Sequence, residues 1–127
     1  MSIKVELDAI ADEMATRPTS YLVTAGDEGP PHLGAAQFSL VEGVLVAGAG
    51  RTTRRHVAAR TTVSCLWAPA EPGGYSLIID GDATIVGEED EAKIHITPTW
   101  AVLHRPAEVA DPDADCAQDC QPLAERS

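Results

Sequence analysis

The stretch LGAAQFSLVEGVLVAGAGRTTRRHVAAR, residues 33–60, contains the pattern on which the fold prediction depends. Apolar residues dominate Leu33–Val41 and Val44–Ala49, and the Glu42-Gly43 pair between them suits a tight hairpin. Thr52–Ala59 follows without a helix-breaking residue. The stretch therefore predicts two neighbouring antiparallel strands and then a short helix.

Further short strands are predicted on both sides of this stretch. Upstream, Leu7, Ile10, Ala11 and Met14 recur at helical spacing, and Pro18 ends that helix. Short strands at close spacing with only two short helices are typical of a β-barrel or a β-sandwich. The additional strands are Ser20–Ala25, Thr62–Ala68, a strand over Tyr75–Gly87 that bends at Asp80-Gly81-Asp82, and a last strand over Lys93–Leu103 with a break at Pro98.

Size and charge limit the classes of function. The chain has 127 residues, enough for one domain, and a formal net charge of −11. Such a charge repels nucleic-acid phosphates and anionic membranes, so neither partner is expected. No apolar run approaches the ~20 residues of a membrane span, and no secretory signal is recognisable, so a cytoplasmic location is expected. We predict a domain over residues 1–107 and an acidic C-terminal tail over residues 108–127.

The segment from Gly48 to His56 departs from the acidic character of the chain. Residues 51–60 contain four arginines and no acid, and the segment leaves a predicted strand and opens a predicted helix. Free N–H groups at a helix start and arginine side chains both favour anions. The segment predicts a phosphate-binding site. The alternative is a solvated helix face whose arginines pair with the acids of the protein.

Five segments, in their order along the chain, resemble the pyridoxamine 5′-phosphate oxidase-like split-barrel family, including its flavin and deazaflavin oxidoreductase branches. The resemblance covers roughly residues 5–107 and depends on the order of the segments more than on any one of them. They are YLVTAGDEGPPH (21–32), Gln37-Phe38, Arg51–Val57 before TVSCLW (62–67), IDGDAT (79–84) and ITPTWAVLHRP (96–106).

The resemblance implies a mainly β fold, a six-stranded split β-barrel with a short N-terminal helix and a short helix after the third strand. It also implies a homodimer that holds flavin mononucleotide (FMN) at the subunit interface and acts as an oxidoreductase on a small-molecule redox substrate. The helix start would hold the phosphate, and Gly34–Gln37 would lie along the flavin ring. The implied cofactor-binding residues are Gly34, Ala35, Ala36, Gln37, Gly48, Arg51, Thr52, Thr53, Arg54 and Arg55; no catalytic side chain is implied, because the ring carries the electrons.

Three positions differ from the family oxidases. This chain has Gly34 where they carry a basic residue, Ala47-Gly48 where they carry Thr or Ser, and Thr53 where a phosphate-binding Lys is usual. True pyridoxamine phosphate oxidation is therefore not expected. A deazaflavin, haem or no cofactor stay open as alternatives to FMN, as do a deazaflavin-dependent reductase and a non-enzymatic storage protein.

Other residues give weaker indications. His56 is either a contact of the phosphate or ring, or a surface helix residue. Cys65 lies in an apolar run and is interpreted as a buried hydrophobic residue. No metal site is predicted: the histidines are not at ligand spacing, residues 111–122 lack the Gly and Glu of a calcium loop, and Cys116 and Cys120 have no further soft ligand near them.

Overall fold

Eight antiparallel strands and two short helices make up residues 2–106, the part of the chain that the computed structural model describes. The predicted acidic tail, with Cys116 and Cys120, lies outside these residues. The helices are α1 (Ile10–Ala15), which a 3-10 turn at Leu7–Ala9 precedes, and α2 (Arg51–Ala59). The strands are β1 (Ser2–Lys4), β2 (Ser20–Thr24), β3 (His32–Ala35), β4 (Ser39–Val41), β5 (Val44–Gly48), β6 (Thr62–Trp67), β7 (Ser76–Val86) and β8 (Lys93–His104).

The strand order forces the sheet to curl. The strands pair in the order β3-β2-β6-β7-β8-β5-β4, and β1 pairs with the free part of β8. In a flat sheet the first and last of seven strands lie roughly 29 Å apart. The chain between Ala35 and Ser39, which joins those two strands, can span about 14 Å at most. The sheet therefore closes most of a barrel while β3 and β4 stay unpaired with each other, as a split barrel requires.

The mainly β fold with two short helices is confirmed, but the sheet has eight strands where six are predicted. The predicted strand over Leu33–Val41 is divided into β3 and β4, because the chain passes from one end of the curled sheet to the other between them. The extra strand β1 pairs residues 2–4 with Val102–His104. Its partner is about a hundred residues away, so no local pattern predicts the pairing.

The predicted bend in β7 is a β-bulge in the long β7–β8 ladder. The pairing shifts between Asp80 and Gly81, where Asp80 lies opposite Trp100 and Gly81 opposite Pro98. A Cβ atom on Gly81 would lie 2.6 Å from Ile96 Cγ2 and 2.6 Å from the Thr97 carbonyl oxygen. Gly81 is therefore required by the close approach of the two strands, as a glycine inside a strand often is.

The core occupies the concave face of the curled sheet. Leu45, Leu77, Ile79, Ile94 and Ile96 are completely buried, and helix α1 adds Ile10. Cys65 is also completely buried, which confirms its interpretation as a core residue. Burial, with a smaller contribution from the charge of Asp80, raises the pKa of the Cys65 thiol to about 12. In residues 2–106, no helix is both long enough and apolar enough to cross a membrane.

Candidate anion-binding site

Helix α2 presents two arginines on its exposed face. Strand β5 ends at Gly48, and the helix begins at Arg51, after the two-residue turn Ala49-Gly50. Its buried face carries Thr53, His56 and Val57, at the i, i+3, i+4 spacing of one helix face. Arg51 and Arg55 are exposed and lie four residues apart, so their side chains are neighbours over the first turn.

These arginines are not neutralised by carboxylates in the described part of the chain. Among residues 2–106, the only ion pair joins Arg17 and Glu13, with 3.0 Å between Nη1 and Oε1. Arg51 and Arg55 are exposed and have no carboxylate within ion-pair distance among these residues, although Asp27 and Glu28 line the same cavity as Arg55. The alternative of a solvated helix face therefore stays open. Two like charges four residues apart on a helix repel each other slightly. An anion held between Arg51 and Arg55 would remove that repulsion.

Arg54 is engaged differently from its two neighbours. Its Nη1 donates hydrogen bonds to the carbonyl oxygen of Ala49 at 2.8 Å and to that of Glu89 at 2.9 Å. Ala49 lies in the turn before α2, and Glu89 lies in the connection between β7 and β8. Arg54 thus ties the turn that precedes the helix to the neighbouring connection, and part of its donor capacity serves the fold.

The turn before α2 leaves open space next to the arginines. A Cβ atom on Gly48 or on Gly50 would have no heavy atom within 4 Å. Neither glycine is therefore needed to avoid a clash within the chain. The surface beside the helix start is available to a group from outside, and the donors around it are guanidinium and backbone N–H groups, which suit phosphate or carboxylate oxygens.

The predicted ring-binding segment begins close to α2 and runs away from it. His32, the first residue of β3, lies 6.2 Å from His56 of α2 between ring centroids, in an edge-to-face arrangement. Gly34 and Ala35 follow in β3, and Ala36 and Gln37 form the link towards β4. At about 3.3 Å per residue, Gly34 is within roughly 7 Å of His32.

The far end of that segment lines a different cavity from the arginines of α2. Ala35, Ala36 and Gln37 line a cavity of about 240 Å³ together with Pro18, Thr19 and Ser20. The arginines of α2 line different cavities: Arg55 one of about 230 Å³ beside the β2–β3 connection, and Arg54 one of about 350 Å³ against β7. No single one of these three cavities joins the phosphate-binding and ring-binding segments.

Two predicted contact residues have side chains directed away from the exposed helix face. Thr53 is 7% exposed and belongs to the buried face of α2, and Thr52 is half-buried. Their backbone N–H groups nevertheless lie in the first turn, where such groups have no partner within the helix. For Thr53, the backbone is thus better placed than the hydroxyl to reach a ligand.

The sequence interpretation did not predict the burial of His56. The expectation of a surface helix residue is wrong, because His56 is only 5% exposed. Its Nδ1 lies 3.0 Å from Thr24 Oγ1 of β2, and Thr24 is 1% exposed. The spacing of Thr53, His56 and Val57 was the available signal, since it marks the face of the helix that meets the sheet. No group of three or more His, Cys, Asp or Glu side chains that could hold a metal occurs in residues 2–106.

Solved structures share this fold. A candidate pyridoxamine 5′-phosphate oxidase from Listeria innocua has a TM-score of 0.64 and 18% identity, with 76% of this chain and 96% of that chain covered. The FAD-binding protein of Mycobacterium smegmatis has a TM-score of 0.58 and 16% identity, over 83% and 100% of the chains. An F420 reductase has a TM-score of 0.58 and 20% identity, over 71% and 94%. The haem storage protein HutZ of Vibrio cholerae reaches 0.58 at 14% identity, over 77% and 94%.

These similarities confirm the pyridoxamine 5′-phosphate oxidase-like split barrel that the sequence segments predict. No protein-family model matches the chain. Uncharacterized proteins from Mycobacterium bovis and Mycobacterium tuberculosis are each 36% identical to it over 132 residues, which cover 92% of this chain and 93% of the relative. The chain belongs to the same family as these two mycobacterial proteins.

Proposed function

We propose that the protein binds a phosphorylated flavin-type cofactor whose phosphate is held at the start of α2, and that it acts in redox chemistry. The observation that carries the proposal is the pair Arg51 and Arg55, two exposed guanidinium groups on one helix face without a carboxylate partner among residues 2–106. On a chain of net charge −11, two neighbouring arginines without an ion-pair partner form a local positive site that attracts an anionic ligand.

The donor set fits a phosphate. Arg51 and Arg55 supply charge-assisted hydrogen bonds, the first-turn N–H groups supply neutral ones, and the positive end of the helix dipole adds to both. The open space beside Gly48 and Gly50 leaves room for the phosphate to approach the backbone. In this proposal Arg54 holds the turn in place through the Ala49 and Glu89 carbonyls.

The ring would lie against β3. This strand is at one end of the sheet order, so one of its edges carries backbone N–H and C=O groups without a strand partner. Such groups can bond the polar edge of a flavin ring while Gly34 keeps the approach free of a side chain. The bound ring would supply hydride or electron transfer, and the protein would place it and exclude water around it.

A second copy of the chain is part of the proposal. The convex face of the sheet bears Leu33 at 63% exposure and Trp100 at 46%. In the same row of the sheet lie Val23, Ser64 and Asp80, and the adjacent row is formed by half-buried Tyr21, Leu66 and Ile78. An exposed face that carries apolar side chains of this size is typical of a protein–protein interface. Homodimerisation there would bury it, and it would complete a site whose two halves do not share a cavity within one chain.

The forms of this proposal differ in which cofactor is bound and in whether it turns over. FMN is our first candidate, and the FAD-binding and F420-reducing proteins of the same fold support a flavin or a deazaflavin more broadly. The second candidate function is cofactor storage without turnover. The haem storage protein of the same fold favours it, as does the absence of a side chain at Gly34.

The first experiment is an absorbance spectrum of the freshly purified protein, followed by titration of the stripped protein with FMN, FAD, F420 and haem. We expect flavin fluorescence to be quenched on binding at micromolar concentration. Failure of all three flavin-type compounds to bind would overturn the proposed function, and haem binding alone would favour storage. Steady oxidation of a reduced nicotinamide above the rate of free cofactor would support the oxidoreductase against the storage protein.

A matched pair of variants tests the location of the phosphate. Arg55→Gln and Arg60→Gln remove the same charge from exposed side chains on α2 and just after it. We expect Arg55→Gln to weaken FMN binding about tenfold, which is the effect of one charge-assisted hydrogen bond, and Arg60→Gln to change it less than twofold. Equal effects would indicate general electrostatic attraction and would contradict a phosphate site at α2.

A further inference from the structure

We propose that His56 is a ligand-contacting residue: its Nε2 donates a hydrogen bond to the same anionic group that Arg55 binds. The proposal rests on the proposed function, since it takes the anion to be the cofactor phosphate, and it adds a neutral or cationic donor from the buried side of α2. It concerns the cavity of about 230 Å³ that His56 and Arg55 line together with Gly26, Asp27, Glu28 and Ala59.

The imidazole of His56 is held in one orientation. Its Nδ1 lies 3.0 Å from the hydroxyl of Thr24, a residue in the wall of the barrel. On the opposite edge, a Cβ atom on Gly26 would lie 2.8 Å from Cδ2 and 3.3 Å from Nε2. Only a glycine at position 26 leaves room for the ring there. The ring is therefore fixed by a hydrogen bond on one edge and by a close backbone approach on the other.

The second ring nitrogen is available to a ligand. Nε2 has no hydrogen-bond partner among residues 2–106, and His56 as a whole is only 5% exposed. Nε2 is not among the fully enclosed polar atoms of the described residues, so the small accessible part of the ring includes this nitrogen. The edge of the ring that carries Nε2 faces Gly26, which lines the same cavity as Arg55. The free nitrogen and the free guanidinium group therefore meet at one cavity.

Nε2 is a donor in two of the three protonation states that the contact with Thr24 allows. In the third, the neutral tautomer with its hydrogen on Nδ1, Nδ1–H donates to Thr24 and Nε2 is an acceptor, which does not bind a phosphate oxygen. The proposal takes the ring to be in one of the two donor states. When the Thr24 hydroxyl donates to Nδ1, the neutral ring carries its hydrogen on Nε2. When the ring is protonated, Nδ1–H donates to Thr24 and Nε2–H remains a donor. Both states can donate to a phosphate oxygen, and the protonated state binds it more strongly because the bond is then charge-assisted.

Several charged or titratable groups lie near His56 and could also affect ligand binding. Arg55 lies beside it on α2, Asp27 and Glu28 lie on the β2–β3 connection that lines the cavity, and His32 of β3 contacts its ring edge-to-face. The contribution of His56 to ligand binding is therefore assigned only by comparison with variants of that residue.

Two conservative variants separate ligand binding from packing. His56→Asn keeps a polar group near the position of Nδ1 for Thr24 and lacks one at Nε2, whereas His56→Gln places an amide nitrogen near Nε2. We expect FMN affinity to fall about tenfold in His56→Asn and less than threefold in His56→Gln.

A spectroscopic readout does not depend on the variants folding. Inorganic phosphate is titrated into the native protein with ¹⁵N-labelled histidine, and the Nε2 resonance of His56 is followed. A saturable shift supports the proposal, and no shift with an unchanged affinity of His56→Asn overturns it. If the native protein binds no flavin-type cofactor but Nε2 responds to phosphate, the proposed function fails and the anion contact stands. If flavin binds and Nε2 and both variants are unaffected, only the His56 contact fails.

Discussion

Replacing Gly26 by Ala tests how the β2–β3 connection fixes α2. The added Cβ atom would lie 2.8 Å from His56 Cδ2, whereas ordinary contacts begin near 3.4 Å, so the ring must retreat by at least 0.6 Å. Because Thr24 lies on the opposite edge of the ring, that movement drives Nδ1 against Thr24 Oγ1, which is already only 3.0 Å away, so the hydrogen bond cannot keep its geometry. Loss of the hydrogen bond costs about 1 kcal/mol, and overpacking adds about 1–2 kcal/mol. A total of about 2–3 kcal/mol lowers the Tm by roughly 10 °C in a domain of this size.

The assay is thermal unfolding followed by circular dichroism, with Gly48→Ala as the matched control. A Cβ atom on Gly48 meets nothing within 4 Å. Its replacement should leave the Tm unchanged or raise it slightly, because alanine lowers the entropy of the unfolded chain. If Gly26→Ala and Gly48→Ala unfold at the same temperature, the packing of α2 against residue 26 is not as described, and the fixed position of His56 is refuted with it.

Three further predictions follow from the sheet. Gly81→Ala should destabilise the protein by at least about 3 kcal/mol, seen in urea unfolding, because its Cβ atom would meet both Ile96 and the Thr97 backbone at 2.6 Å; a native-like unfolding midpoint would contradict the bulge. The Cys65 thiol, with its pKa raised to about 12, should not react with thiol reagents in the native protein at pH 8. Since the unfolded thiol ionises near pH 9, the native protein should lose about 1.4 kcal/mol by pH 10 relative to Cys65→Ala; equal pH profiles would speak against this. Leu33→Asp, at an exposed position of the convex face, should dissociate the proposed dimer in sedimentation equilibrium, and Val86→Asp at the far end of β7 should not; dimers that survive Leu33→Asp would place the interface elsewhere.

Local patterns predict the part of the fold that local physics determines. The Glu42-Gly43 hairpin is present, with Glu42 at φ 52° and Gly43 at φ 83° in the left-handed region. The helix predicted over Thr52–Ala59 begins one residue earlier, at Arg51. The bend at Asp80-Gly81-Asp82 is a bulge at the predicted place. Each of these features is indicated by residues that are adjacent in the sequence.

Features that depend on distant partners could not be predicted in this way. The pairing of β1 with β8 joins the two ends of the described chain. The division of β3 from β4 follows from the closure of the barrel, to which every strand contributes. The sequence of an apolar run does not show whether its residues form one continuous strand or two strands at opposite ends of the sheet.

The candidate site shows the same limit. The sequence predicts a cluster of arginines at a helix start, and the structure distributes them: Arg51 and Arg55 on the exposed face, Arg54 onto two backbone carbonyls. The partner carbonyl of Glu89 is thirty-five residues away. Likewise, the contact between His56 and Thr24 crosses from α2 to β2. The type of residue indicates anion binding, but only the fold determines which arginine is available.

The most direct test of the anion site is a titration of FMN into the native protein and into the double variant Arg51→Gln/Arg55→Gln at several salt concentrations. If both guanidinium groups hold the phosphate, the double variant binds about a hundredfold more weakly, and its affinity depends less on salt than that of the native protein. If native and double variant bind FMN with the same affinity and the same salt dependence, the phosphate does not lie at α2, and the central claim is wrong.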